Sequence, residues 1–387
     1  MFQSPAAVLA ILATVAAFFF WLEQATRWKL FNFFPPLLFI YATPVLLNNT
    51  GVLPATSPAY DVLSQFGLPV FITLLLLSVD VGAAVRIMGK GVFVMLIGTV
   101  GVIVGAPIGY FVVHRWLPDT AWKGFGALAG SWIGGTGNMA AVAGGLETPP
   151  EIFGLAVLAD NMIYVIWLPI LLASKGLAER FNRWMRVSDE RVARMEAAAQ
   201  AEAATKSEQP VLMRHFLYLA ALALGATALS GWFAPMLPVI EPILSTSTWR
   251  VLIVTTIGIA LSFTPARSLP RSHEVAMAIV YVFVAGMGAR ASLAGLADAP
   301  AFLLGALIWI FIHGVFCLFG AWLFKVDVHS AAIASAANIG GAASAPVVAA
   351  YHRESLVPAA ILMALIGYAI GNYGAFIAAR LCYWVGS

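Results

Sequence analysis

Apolar residues run along this chain in blocks of helical length, at roughly residues 6–22, 34–49, 62–79, 91–113, 122–145, 152–174, 213–233, 249–264, 273–289, 301–325, 328–350 and 356–383. Short polar stretches separate them, and most blocks are apolar on every face rather than along one stripe. A bilayer core about 30 Å thick calls for segments of this kind, because a helix satisfies its own backbone donors and acceptors where no water can. The pattern predicts an all-α polytopic membrane protein.

Composition sharpens that reading by exclusion. Of 387 residues, 61% are hydrophobic and 10% charged, which rules out a soluble enzyme. A net charge of +3 is too small for a nucleic-acid partner, and Cys317 and Cys382 lie in apolar runs without disulfide or metal spacing. Arg27 and Lys29 follow the first block instead of preceding it, so it reads as a retained helix with its N-terminus outside. Charges crowd only residues 175–212, which separate a first half, 1–174, from a second, 213–387. That stretch reads as a solvated cytoplasmic linker, helical in its alanine-rich middle at 195–205.

The halves resemble one another. A shift of about 206 positions places Gly82-Ala83 on Gly288-Ala289, Trp116-Leu117 on Trp322-Leu323, Ile133-Gly134-Gly135 on Ile339-Gly340-Gly341 and Val142-Ala143 on Val348-Ala349. Basic residues then set the topology. Three apolar blocks lie between the Arg86–Lys90 loop and the linker, yet a return to the cytoplasmic side needs an even number of crossings. The block at 122–145 is the one that fails to cross, since its glycines disfavour a regular helix by about 1 kcal/mol each and suit a re-entrant hairpin. Its counterpart is 328–350. Each half then holds five crossings and one hairpin, and an odd number inverts the second copy. This topology leaves Arg115, Lys123, Arg290, Arg353 and Arg380 outside; twelve full crossings with an internal N-terminus are the alternative.

Candidate chemistry gathers at the glycine-rich centres. The first contributes Gly134, Gly135, Thr136, Gly137 and Asn138, the second Ser335, Asn338, Gly340, Gly341 and Ser344. Non-helical backbone at membrane depth exposes N–H and C=O groups that bind a solute or a dehydrated ion, whereas close helix packing is the structural use of the same glycines. Asp160, in mid-block and followed by Asn161, offers hard oxygen ligands for Na⁺ or a site for a carried proton; a carboxylate there is costly enough to imply a function. Asp80 is divided between an interfacial ion pair and a role in cation coupling. His313 reads as a hydrogen-bonded structural group. His273-Glu274 lacks the second histidine of a zinc-protease helix, and neither a Gly-x-Ser-x-Gly elbow nor a phosphate-binding loop occurs, so no enzyme is expected.

The runs Ile133-Gly-Gly-Thr-Gly-Asn138, Asn338-Ile-Gly-Gly341, Ala159-Asp-Asn161 and Gly367-Tyr-Ala-Ile-Gly-Asn-Tyr373 resemble the bacterial and plastid membrane family labelled domain of unknown function eight-one-nine, over essentially the whole chain. That family is similar to the cation:proton antiporters and anion transporters, among them the glutamate:sodium and citrate:sodium symporters. The resemblance implies a homodimer in which a transport domain moves like an elevator against a fixed scaffold, with the two glycine centres as hairpin tips. Thr136 and Ala342 beside the glycine pairs, and the lack of a membrane-core arginine there, depart from the symporter pattern and argue against a dicarboxylate cargo.

The expectation is a secondary active transporter of a small polar solute (organic anion, amino acid or small peptide). Na⁺ or H⁺ is the coupling ion, and no other cofactor is expected. A cation:proton antiporter without organic cargo is the first alternative, and a channel or intramembrane enzyme the second. The bilayer and a second copy of the chain are the expected partners. The location is the inner membrane in a bacterium or the plastid envelope in a plant.

Overall fold

The computed structural model describes residues 4–28, 30–185, 187, 197, 210–292 and 297–387, and is helical throughout apart from one isolated β-bridge. In chain order the elements are α1 (Pro5–Thr26), α2 (Pro36–Asn49), α3 (Pro58–Leu77), α4 (Val81–Met88), α5 (Lys90–Val113), α6 (Ala121–Gly145), α7 (Pro150–Ala173) and α8 (Ala178–Met185). After the linker come α9 (Met213–Phe233), α10 (Thr246–Ser262), α11 (Ser272–Arg290), α12 (Ala299–Phe324), α13 (Val328–Ile339), α14 (Gly341–His352) and α15 (Val357–Gly386). Eight of these helices are long and apolar enough to cross a membrane, with α2 and α10 shorter. The alanine-rich middle of the linker lies, but for one residue, outside the described residues.

Local chemistry explains several boundaries. Ser4, Ser57, Asp80, Ser245 and Asp327 cap the helices that follow them by accepting a backbone N–H in the first turn. Within α3 the ladder widens to a π-helical turn at Leu63–Gly67, just ahead of Pro69, whose ring nitrogen has no hydrogen to donate.

Two bundles share the work of burial. One consists of α1, α2, α3, α9, α10 and α11; the other gathers α5, α6, α7, α12, α13, α14 and α15. In the second bundle α5 and α12 run antiparallel at backbone contact. A methyl on Gly109 would run into the Gly305 carbonyl oxygen, and one on Gly98 would lie 2.8 Å from Cys317 Sγ. Glycine is what permits that approach, and the Trp309 indole donates across it to the Val102 carbonyl at 2.8 Å.

Neither glycine-rich centre is a continuous helix. Gly135 takes φ 77° and ψ −176°, a conformation reserved for glycine, and the chain reverses there. A methyl on Gly130 would meet the Asn138 carbonyl oxygen at 2.8 Å, and one on Gly126 would meet Leu146 at 3.0 Å. In a straight helix the second pair would stand about 30 Å apart. We call this element hairpin 1. Hairpin 2 comprises α13 and α14 and turns at Gly340 and Gly341, the latter at φ 58°. Its open end closes through His329 and His352, whose Nδ1 atoms are 3.0 Å apart although 23 residues separate them in sequence.

Candidate functional site

The two turns meet. A methyl built on Gly341 would stand 3.4 Å from the Gly135 Cα, so the hairpin tips touch at van der Waals distance between α7 and α15. Tyr368 of α15 braces both, its ring 3.1 Å from a methyl on Gly135 and its hydroxyl against the Ala342 amide. His273, in the first turn of α11, stacks on that ring at 5.9 Å and 14°, with its Nδ1 buried and unbonded.

Asp160 projects from α7 towards this junction. The Ser131 hydroxyl and Trp132 indole of hairpin 1 are its polar neighbours, and its Oδ1 is buried without a hydrogen-bond partner. One turn further along α7, Tyr164 sits between the Asp160 carboxyl and Ser344 of hairpin 2, and the edge of its ring reaches Gly340. Its hydroxyl is also buried and unbonded by geometry. A cluster of unsatisfied buried oxygens around one carboxylate is rare in a folded core, because each costs about 1–3 kcal/mol unless a ligand, ion or water completes it. A carboxyl so placed can accept a proton or a small cation.

The two hairpin asparagines are each held by one bonded neighbour network. Asn138 donates to the Tyr368 carbonyl and to Asn372 Oδ1, both at 3.0 Å, and Asn372 donates in turn to Thr255 of α10 at 2.8 Å. Asn338 donates to Thr99 of α5 at 2.9 Å. Both retain an unbonded, buried Oδ1.

The remaining candidates are held by other partners. Asn161 donates to the Val157 carbonyl one turn back in α7 at 2.7 Å, and adjacent positions on a helix point about 100° apart, so it does not face the site with Asp160. Ser335 accepts from the Trp167 indole at 3.0 Å and bonds His313 Nε2 at 3.0 Å, which makes it part of a packed network rather than of the tips. His313 donates through Nδ1 to the Gly98 carbonyl at 2.9 Å, since a carbonyl can only accept. Gly137 is a close approach, its missing methyl standing 2.6 Å from Leu75. Asp80 caps α4 through the Ala83 N–H and pairs with Arg267 at 3.3 Å, a structural use at the edge of the bundle. Thr136 is half-buried beside the first turn. Among the described residues no group of three or more His, Cys, Asp or Glu side chains is assembled for a metal.

Ser131, Trp132 and Tyr164 complete the site without having been singled out for it, whereas Tyr368 belongs to the run Gly367–Tyr373 already noted. Tyr164 was legible as the residue four positions after Asp160, hence on its face of the helix. Ser131 lies within the first glycine run itself.

A polytopic, all-helical membrane protein with two broken helices meeting at a buried carboxylate is the class these observations define. The chain belongs to the family described as "Protein of unknown function (DUF819)", whose match covers residues 10–383. It is similar to the "Uncharacterized membrane protein YjcL" of Bacillus subtilis (strain 168), with 27% identity over 373 residues, covering 94% of this chain and 93% of that protein. The integral-membrane location follows from that relative and from the eight apolar helices.

Proposed function

We propose that the protein is a secondary active transporter in which the hairpin tips and Asp160 form one midplane site, and Na⁺ or H⁺ binding at Asp160 drives a small polar solute across the bilayer. The observation that carries this reading is the contact of the two helix breaks beside a buried carboxylate whose Oδ1 has no partner. Cation binding there neutralises the charge, satisfies the orphan oxygen and favours the loaded state. Asn161 is not part of the ion site in this reading.

An inverted repeat fits the same geometry. The fourth long helices of the two halves, α5 and α12, pack antiparallel, as equivalent helices of inverted copies must. Polar contacts also sort by end: Asp80 with Arg267 lies on the linker side, and Lys175 with the Tyr351 carbonyl draws the loop of Arg353 to that side too, against its assignment outside. The Ser292 amide with Glu151, and Arg380 with the Glu241 carbonyl, gather loops assigned outside. Twelve full crossings would instead separate the two ends of hairpin 1. In an elevator mechanism the bundle with both hairpins moves as the transport domain, while the α1, α2, α3, α9, α10 and α11 bundle is the scaffold and homodimer contact.

A cation:proton antiporter is the second reading, favoured by one observation. The slit beside Gly137, Asn138, Tyr368 and Asn372 has no room for a water molecule, so this conformation offers no space there for an organic cargo.

The test is thermal stability of purified protein against Na⁺, K⁺ and pH, with Asp160→Asn in parallel. A ligand at 100 times its Kd stabilises the folded state by about 2.7 kcal/mol. Saturable stabilisation by Na⁺ that the variant loses supports sodium coupling, and a pH response that the variant loses supports proton coupling. Indifference to both removes Asp160 from the mechanism.

A further inference from the structure

Well away from the hairpin tips, a cavity of about 380 Å³ opens where the base of hairpin 1 meets α3, α10 and α11. Its polar wall is made by Asp61, Glu147, Thr148, Ser247, Arg250 and Arg290. Gly144 lies some nine residues of helix from Gly135, which at about 1.5 Å per residue separates this cavity from the tips by about 13 Å. The Gly144 seam closes its floor, since a methyl there would stand 2.8 Å from Leu68. The cavity is therefore a blind vestibule on the face where hairpin 1 opens.

Two features mark it as more than a solvated edge. Thr148 is 4% exposed, yet its hydroxyl has no hydrogen-bond partner, and Arg250 Nε is likewise buried and unbonded. The charges balance, two carboxylates against two guanidiniums, but they do not neutralise one another. Glu147 accepts from Ser247 at 2.6 Å and Arg250 donates to the Gln65 carbonyl at 2.7 Å. Among the described residues neither Asp61 nor Arg290 has an ion pair. Charges of both signs left without close ionic partners around one concavity complement a molecule that carries both signs itself.

We infer that this vestibule binds a small zwitterion of amino-acid to dipeptide size, its carboxylate taken by Arg290 and Arg250 and its ammonium by Asp61, with the Thr148 hydroxyl completing the set. The inference rests on the transporter reading only for the vestibule's place as a first stop on the way to the tips; binding itself requires no transport.

The experiment is equilibrium binding of radiolabelled alanine and alanylalanine to the purified full-length protein in detergent, with ethylamine and propionate as single-charge competitors. Saturable binding of at least one zwitterion is expected, with each competitor weaker by about tenfold or more. Arg290→Gln and Asp61→Asn each weaken binding by about tenfold, while Arg290→Lys retains it within about threefold and shows that the site still folds. Arg290→Gln and Asp61→Asn keep whatever Na⁺ or pH response of thermal stability the wild-type protein shows, which separates this site from the coupling site and from any failure of the transport reading. No saturable binding of either zwitterion to the wild-type protein overturns the inference. So does binding that survives Arg290→Gln and Asp61→Asn, or competitors that match the zwitterions.

Discussion

Hairpin 1 and hairpin 2 solve the same local problem and then diverge in what holds them. Each turns at a glycine with positive φ, and the turns touch. Hairpin 1 is buried along almost its whole length and lies against α15 at backbone distance: a methyl on Gly367 would run into the Ile133 carbonyl oxygen, and one on Gly371 would stand 3.1 Å from the Gly134 Cα. It also touches the other bundle through Gly137 on Leu75, Gly144 on Leu68, and the Thr248 hydroxyl donating to the Gly145 carbonyl at 2.9 Å. Hairpin 2 is joined at its own base by His329 and His352, is tied to α7 by His352 Nε2 donating to the Leu171 carbonyl at 2.9 Å, and presents the Ser344 hydroxyl at its tip. The same glycine turn thus serves a seam between bundles in hairpin 1 and a self-clasped element in hairpin 2. In the transporter reading, the seal of this conformation lies along hairpin 1.

The comparison breaks most visibly at Gly367. Leucine there would drive a side chain into the Ile133 backbone, which cannot step aside, and overpacking of this kind costs about 1–3 kcal/mol or more. We expect Gly367→Leu to abolish a monodisperse peak on size-exclusion chromatography; a well-behaved, stable variant would show that α15 and hairpin 1 are less tightly joined than described.

A smaller effect separates the asparagines. Asn138→Ala removes two hydrogen bonds to α15 and strips Asn372 of a donor, for about 1–2 kcal/mol, whereas Asn338→Ala removes one bond to Thr99, for about 0.6 kcal/mol. Thermal unfolding in one detergent should rank them in that order, and equal shifts would erase the asymmetry. The smallest effect belongs to the clasp. His329→Ala leaves His352 Nδ1 without its neighbour but keeps the bond to Leu171, so spin-label distances across the base of hairpin 2 should broaden while those across hairpin 1 stay unchanged. Broadening in both would mean that the hairpins move as one.

Much of the fold was legible because lipid imposes few choices. Length and apolarity announce the crossings, and a glycine-dense block with a Gly-Gly pair at a constant offset from its own marks the places where a regular helix fails. Boundaries moved where caps and prolines act, as at Pro58, which starts α3 ahead of the apolar run assigned to 62–79. Asp160 and the glycine pairs were singled out by the cost of keeping such residues at membrane depth. Asn161, Ser335 and Asp80 carried no such signal of direction. Polarity in sequence says that a side chain needs a partner, and only packing says whether that partner is its own helix, a neighbouring tryptophan or an arginine in a distant loop.

The sequence by itself therefore determined that the chain is a helical membrane protein with two breaks and one deep carboxylate, since backbone hydrogen bonding and charge burial in hydrocarbon are local costs that each segment meets alone. The tertiary structure decided that the breaks meet, that Tyr164 and Tyr368 join Asp160 there, and that four charges from separate elements surround one vestibule. Those juxtapositions depend on which glycine faces let backbones approach across some two hundred residues, and that is a property of the packed bundle rather than of any segment.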